Sequence, residues 1–151
     1  STVLDAAADE LSSGTIATKK YLRIESFIIA SGDVNASWVL NDDESGNYAN
    51  RYQDDGGTAS ADANDSRMDY DIGTLSGISY NLHDVANIDG VEKFYIGRQQ
   101  TTSGTGSGTA PARRTWNGKW ANTDQITSVK IIQNAAGSMD TGSYINIFGS
   151  S

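Results

Sequence analysis

The stretch from Gln125 to Gly149 constrains the fold most. It reads Gln-Ile-Thr-Ser-Val-Lys-Ile-Ile-Gln, then a polar turn over Asn134–Gly142, then Ser-Tyr-Ile-Asn-Ile-Phe-Gly. Val129 and Ile131 fall on one side of an extended chain, Lys130 and Ile132 on the other, which is the two-residue period of a strand. In the second run Ile145 and Ile147 share a face opposite Tyr144, Asn146 and Phe148. Two such runs bounded by Gly and Asn predict paired strands that close a sheet. A closing strand rich in Ile and Phe must be tied into a core, because left loose it is an adhesive edge.

The rest of the chain continues in the same style. Gly, Ser, Thr, Asn and Asp abound, Lys and Glu are scarce, and there is one Pro. That composition suits many short strands joined by turns, not long amphipathic helices. Thr2–Leu11 is the exception, read as a short helix or as an extended arm that orders against a neighbour. Residues 1–14 are therefore an N-terminal arm and 15–151 the domain proper, a length that suits one core. Tyr21–Ala30 is the strongest early strand, with a phase slip at Ser26 that predicts a bulge or a crossing between sheets. Further strands are read at 35–40, 48–53, 67–72, around 78–82, at 91–98 and at 113–120, where Asn117-Gly118 signals a hairpin turn. Ala59–Asp65 reads as loop, and Thr101–Thr109 as a flexible Gly/Ser/Thr linker. The sum is all-β: a two-sheet antiparallel sandwich, jelly-roll-like, of about eight strands. Its inward set is Leu22, Ile24, Phe27, Ile29, Trp38, Leu40, Phe94, Ile96, Val129, Ile131, Ile145 and Ile147.

Charge and composition exclude several functions. The net charge is −8, unevenly placed: residues 1–92 carry 17 acidic and 5 basic side chains, residues 93–151 carry 2 and 6. Nucleic acid is thereby disfavoured as a partner, while a two-signed chain can dock against copies of itself or a charged lattice. No cysteine is present, so thiolate metal sites and Cys nucleophiles are excluded. No apolar run approaches the roughly 20 residues of a membrane-spanning helix, and no membrane partner is expected. Ser1 reads as a start exposed by removal of an initiator Met, which points to cytosolic synthesis.

Few residues carry a chemical signal. Asn41–Asn47 is the densest set of oxygen ligands, which makes Asp42, Asp43 and Glu44 weak candidates for a hard cation such as calcium, although the spacing is not that of an EF-hand. Asp62, Asn64, Asp65, Asp69 and Asp71 pose the same question more faintly. His83, the only histidine, has Asp84 beside it but no nucleophile-elbow motif. Gly104, Gly106 and Gly108 lack the Lys-Ser or Lys-Thr and the helix that a phosphate loop needs. No cofactor and no enzymatic activity are expected. Trp38, Trp116, Trp120, Tyr48, Tyr52 and Tyr95 suit core packing or a subunit interface better than a sugar-binding face. Val3, Leu4, Leu11, Trp116 and Trp120 are the candidate interface residues.

One combination carries a resemblance. Lys20-Tyr21-Leu22-Arg23-Ile24 precedes Asn41-Asp42, Gly46-Asn47-Tyr48-Ala49, Arg51-Tyr52 and Asp55-Gly56-Gly57. Gly118-Lys119-Trp120, Ile126–Ile131 and Gly142–Gly149 follow in that order. From Tyr21 to Gly149 the chain resembles β-sandwich domains of structural proteins in tailed bacteriophages, with the linker at 101–109 and the N-terminal arm as departures. The resemblance implies a virion component. A capsid decoration (cement) protein is the first expectation, seated on the major capsid protein or other virion proteins and self-associating symmetrically. A tail-fibre or tail-tip module that binds host surface glycans is the alternative.

Ile131→Asp is predicted to prevent folding, since a charge would enter the core at the middle of a buried strand; a soluble variant with an unchanged melting temperature would refute the strand assignment.

Overall fold

A computed structural model describes residues 1–68, 75–102, 104 and 106–151. The described chain is a two-sheet β-sandwich without a helix. Its strands are β1 (Thr2–Val3), β2 (Glu10–Ser12), β3 (Tyr21–Val34), β4 (Ala36–Leu40), β5 (Tyr48–Asp54), β6 (Ser60–Asp65), β7 (Leu75–Ala86), β8 (Lys93–Thr102), β9 (Ala112–Trp120), β10 (Val129–Gln133) and β11 (Tyr144–Ser150). Eight build one antiparallel sheet in the order β1-β11-β3-β7-β8-β9-β5-β6, and β2-β10-β4 build the other. The core between them is rich in large side chains, with Trp38, Trp120, Tyr48 and Tyr95 fully buried.

Several sequence expectations change in detail. The last two strands are not partners: β10 lies between β2 and β4, and β11 between β1 and β3. Their connection exceeds the roughly two-to-five-residue loop of a tight hairpin and spans the two layers instead. It is pinned on the way by bonds from Gly137 N to Asp33 O (2.9 Å) and from Asp140 N to Ile29 O (2.8 Å). Thr2–Leu11 is neither helix nor free arm. Thr2 pairs with Ile145 in the large sheet, Leu11 with Ile131 in the small one, and Ala8 exchanges two 2.9 Å backbone bonds with Met139. Tertiary pairing overrides the helix propensity of its alanines, and Leu11 is buried.

The phase of β3 does not slip at Ser26. Leu22, Ile24, Ser26, Ile28 and Ala30 all point inward, and the register with β7 runs unbroken from Tyr21 to Ala30 before shifting ahead of Val34. Ser26 tolerates burial because Asn81, its partner across the strands, donates to its Oγ at 3.1 Å. Phe27 and Ile29 consequently lie on the outer face. Phe94 and Ile96 are also exposed, correcting their assignment to the core, while Lys93, Tyr95, Gln99 and Thr101 turn inward. Lys93 is held inside by donating to the carbonyls of Ile88 (2.8 Å), Thr123 (2.9 Å) and Val91. Residues 60–65, read as loop, form the edge strand β6.

Asn117-Gly118 makes no turn; β9 runs straight through it. Glycine stands there for space. Tyr95 opposes Gly118 and Trp116 opposes Gly97 across the same strand pair. A Cβ at Gly118 would meet the Tyr95 ring at 2.4 Å, and one at Gly97 would meet the Trp116 ring at 2.5 Å. Each ring fills the room that the opposite strand's missing side chain leaves.

Gly118→Ala or Gly97→Ala is expected to cost about 1–3 kcal/mol through overpacking. Chemical denaturation measures it; wild-type stability in both variants would show that the rings are free to move aside.

Candidate functional site

The acidic loop at 41–47 is knitted internally. Asp42 pairs with Lys130 at 2.8 Å, and Glu44 accepts from Arg67 Nε at 2.8 Å. Asp43 accepts from Asn47 Nδ2 (2.9 Å), Ser45 N (3.1 Å) and Trp120 Nε1 (2.7 Å). Partial burial alone would raise the Asp43 carboxyl, but the bonds from Asn47, Ser45 and Trp120 outweigh it and bring it down to about 2. Asn41 fastens the start of the loop to the segment that leads into β10, the neighbour of β4, its Oδ1 accepting from Thr127 N (2.8 Å) and Ser128 N (3.1 Å). The three acids thus point to three separate partners. Among the described residues no group of three or more His, Asp or Glu side chains is placed to hold a metal ion. Asp62, Asn64 and Asp65 lie on the edge strand β6, and Asp69 and Asp71 fall outside the described residues.

His83 is fully buried between Trp38 of the small sheet (centroids 4.7 Å) and Trp116 of the large one (4.8 Å). Burial pushes its pKa down to about 3, so the imidazole is neutral at ordinary pH. Asp84 is the next residue of the same strand and faces the opposite way, paired with Arg23. Strand alternation therefore separates the two groups that a triad would join. Of the candidate interface residues, Leu11, Trp116 and Trp120 are buried, Leu4 packs against the core, and Val3 is exposed. Gly104, Gly106 and Gly108 lie in the exposed stretch between β8 and β9.

The outward aromatic residues are different ones, and they converge on the large sheet's outer face. Cross-strand register sets two rows there. One runs Ser150, Tyr21, Ala86, Phe94, Lys119; the next runs Phe148, Arg23, Asp84, Ile96, Asn117. Strands about 4.8 Å apart put Tyr21 and Phe94 roughly 10 Å from each other. Ala86 between them has only a methyl group, so the row is large–small–large and a trough results. All of these except Lys119 line a groove of about 740 Å³ that reaches the end of β11. Tyr21, Phe94, Ile96 and Phe148 are each more than half exposed.

An ion pair forms the polar centre of the groove. Arg23 Nε and Nη2 donate to Asp84 Oδ1 (2.7 Å) and Oδ2 (3.0 Å) in a two-pronged contact. The bond raises the arginine's pKa and lowers the aspartate's, so both stay charged. A solvent-exposed pair contributes little to stability, but it fixes a donor fork and an acceptor pair in one place. Farther along the same face, Phe27 and Tyr144 stack on one another (centroids 5.8 Å), and Tyr144 Oη donates to Glu25 (3.0 Å). Among the described residues no ring covers Tyr21, Phe94 or Phe148.

The sequence contained a signal for this face in the alternation of β8, where either Lys93/Tyr95 or Phe94/Ile96 had to point outward. Hydropathy alone selects the wrong one. Searches of protein-family models, curated proteins and solved structures give no match to this chain.

Because the Asp43 carboxyl lies below its ordinary 3.8, the unfolded chain takes up that proton first as pH falls. Its stabilisation is fully present above pH 4 and is lost on the way down to about pH 2. Across that window wild type should lose on the order of 1–2 kcal/mol more than Asp43→Asn. Parallel acid titrations of unfolding would contradict the assignment.

Proposed function

We propose that the chain is a structural protein of a tailed-phage virion that works by binding, with the outer-face groove as its contact surface. The resemblance from Tyr21 to Gly149 supports the virion setting. The observation that carries the binding reading is the groove, where four large apolar side chains stay open to solvent around one ion pair. An exposed apolar patch on a soluble face commonly marks an interaction site.

Of the two placements, the groove favours a tail-fibre or tail-tip module that contacts host surface glycans. A decoration role built on an N-terminal arm loses its grip, because that segment completes the chain's own two sheets. One observation favours decoration of the major capsid protein as a second reading. β11 is bonded to β3 along its whole length but to β1 only at Tyr144 and Ile145. Its remaining edge, Asn146–Ser150, has no charged side chain of its own, and Lys19 lies beside it only at its Gly149 end.

Cryo-electron microscopy of the particle carrying this chain tests the placement. Density for a few copies at the tail is expected. Density on every capsomer would assign the decoration role, and its absence from the whole particle would overturn the virion reading.

A further inference from the structure

We infer that the groove is a saccharide site for a neutral glycan of pyranose rings, whose apolar ring faces lie on Tyr21, Phe94 and Phe148 and whose hydroxyls bond the Arg23–Asp84 pair. The inference rests on the reading of this groove as the contact surface and names its ligand class.

The argument begins with the rings. Phe27 and Tyr144 use their faces on each other, whereas Tyr21, Phe94 and Phe148 stand apart at the trough walls. A pyranose offers C–H bonds on one face and hydroxyls around its rim. Such a molecule matches a floor that alternates flat apolar surface with paired polar groups. Sugar hydroxyls donate and accept at once. Arg23 supplies only donors and Asp84 only acceptors, and their two-pronged bond presents both at one point. Asn117, on the same row, adds an amide of both kinds. The groove's volume, about 740 Å³, lies in the range of small-ligand sites.

Charge narrows the occupant further. The ion pair sums to zero within a chain of net charge −8, so acidic glycans are repelled by the molecule as a whole. A second copy would bring the same charge with it. It would also take the Arg23–Asp84 pair of both copies out of water, a desolvation cost repaid only where the two pairs meet in good geometry. A ligand rich in hydroxyls avoids both penalties.

Isothermal titration calorimetry with maltotriose, cellotriose and chitotriose, with 3′-sialyllactose as the acidic comparator, tests this on the full chain, after a glycan array has extended the probe set. Binding of at least one neutral probe is expected. It should fall roughly tenfold or more in Phe94→Ala and in Phe148→Ala. Both side chains are exposed, so melting temperatures should hold; Arg23→Met should weaken binding in the same way. Preference for sialylated probes, or neutral binding that survives all three variants, overturns the inference while leaving a glycan-binding protein. Absence of binding to every glycan overturns both the inference and the host-glycan reading. Sedimentation showing a dimer that Phe94→Ala dissociates would give the groove to a second copy.

Discussion

Where the two sheets meet, neighbouring strands occupy each other's empty space. Trp116 lies over Gly97 and Tyr95 over Gly118, each ring seated where a Cβ would sit within 2.6 Å of it. Trp116 in turn packs on His83, and His83 on Trp38, so one chain of rings runs from β9 through β7 to β4 and joins the layers. This interlock fixes the register of β8 against β9. A strand shifted by one residue would turn its whole inner set outward, and Tyr95 would no longer find the vacancy at Gly118. The outer face inherits its residues from that choice. Phe94 and Ile96 are exposed because the interior takes the side chains of Lys93 and Tyr95 and, at Gly97, the room for the Trp116 ring.

The same dependence explains how much of the fold the sequence discloses. Alternation marks most strands, and turn residues mark most of their ends, so an all-β sandwich can be read directly. Alternation leaves open which phase is buried when apolar residues stand on both faces. Ser26 goes inward because Asn81, more than fifty positions away, supplies its hydrogen bond. Lys93 goes inward because the carbonyls of Ile88, Val91 and Thr123 surround its ammonium group. Neither partner is visible from the residue's own neighbourhood. The Asn117-Gly118 pair misleads for a related reason: glycine serves a turn by its backbone freedom and serves here by its missing side chain.

The candidate site was legible in a different measure. Trp38, Trp116 and Trp120 attract attention as aromatic residues, yet large rings are what this interior needs to fill the gap between its sheets. The acids at 42–44 look like ligands as a run, but consecutive loop side chains diverge, and each meets its own partner in Lys130, Trp120 or Arg67. His83 and Asp84 look like neighbours in the sequence, but both lie within the strand Leu75–Ala86, where adjacent residues face opposite ways. Tyr21, Arg23, Asp84, Phe94 and Phe148 come together only through the order β11-β3-β7-β8, which pairs segments far apart in the chain.

An apolar groove open to water invites association, and the rest of the molecule bears on whether that happens. The outer edge of the large sheet at β6 carries Asp62 and Asp65 and an irregular register at Tyr48 and Ala49, features that discourage edge-to-edge pairing. A net charge of −8 adds an overall repulsion between copies, although the basic excess of residues 93–151 facing the acidic excess of residues 1–92 would relieve it. Repulsion of this kind reaches roughly 8 Å at physiological salt and acts on charged partners, while contact with a ring face needs van der Waals approach and is indifferent to net charge. The two together select by charge first and by shape second. The neutral, hydroxyl-rich ligand proposed for the groove would meet the ring faces without that repulsion.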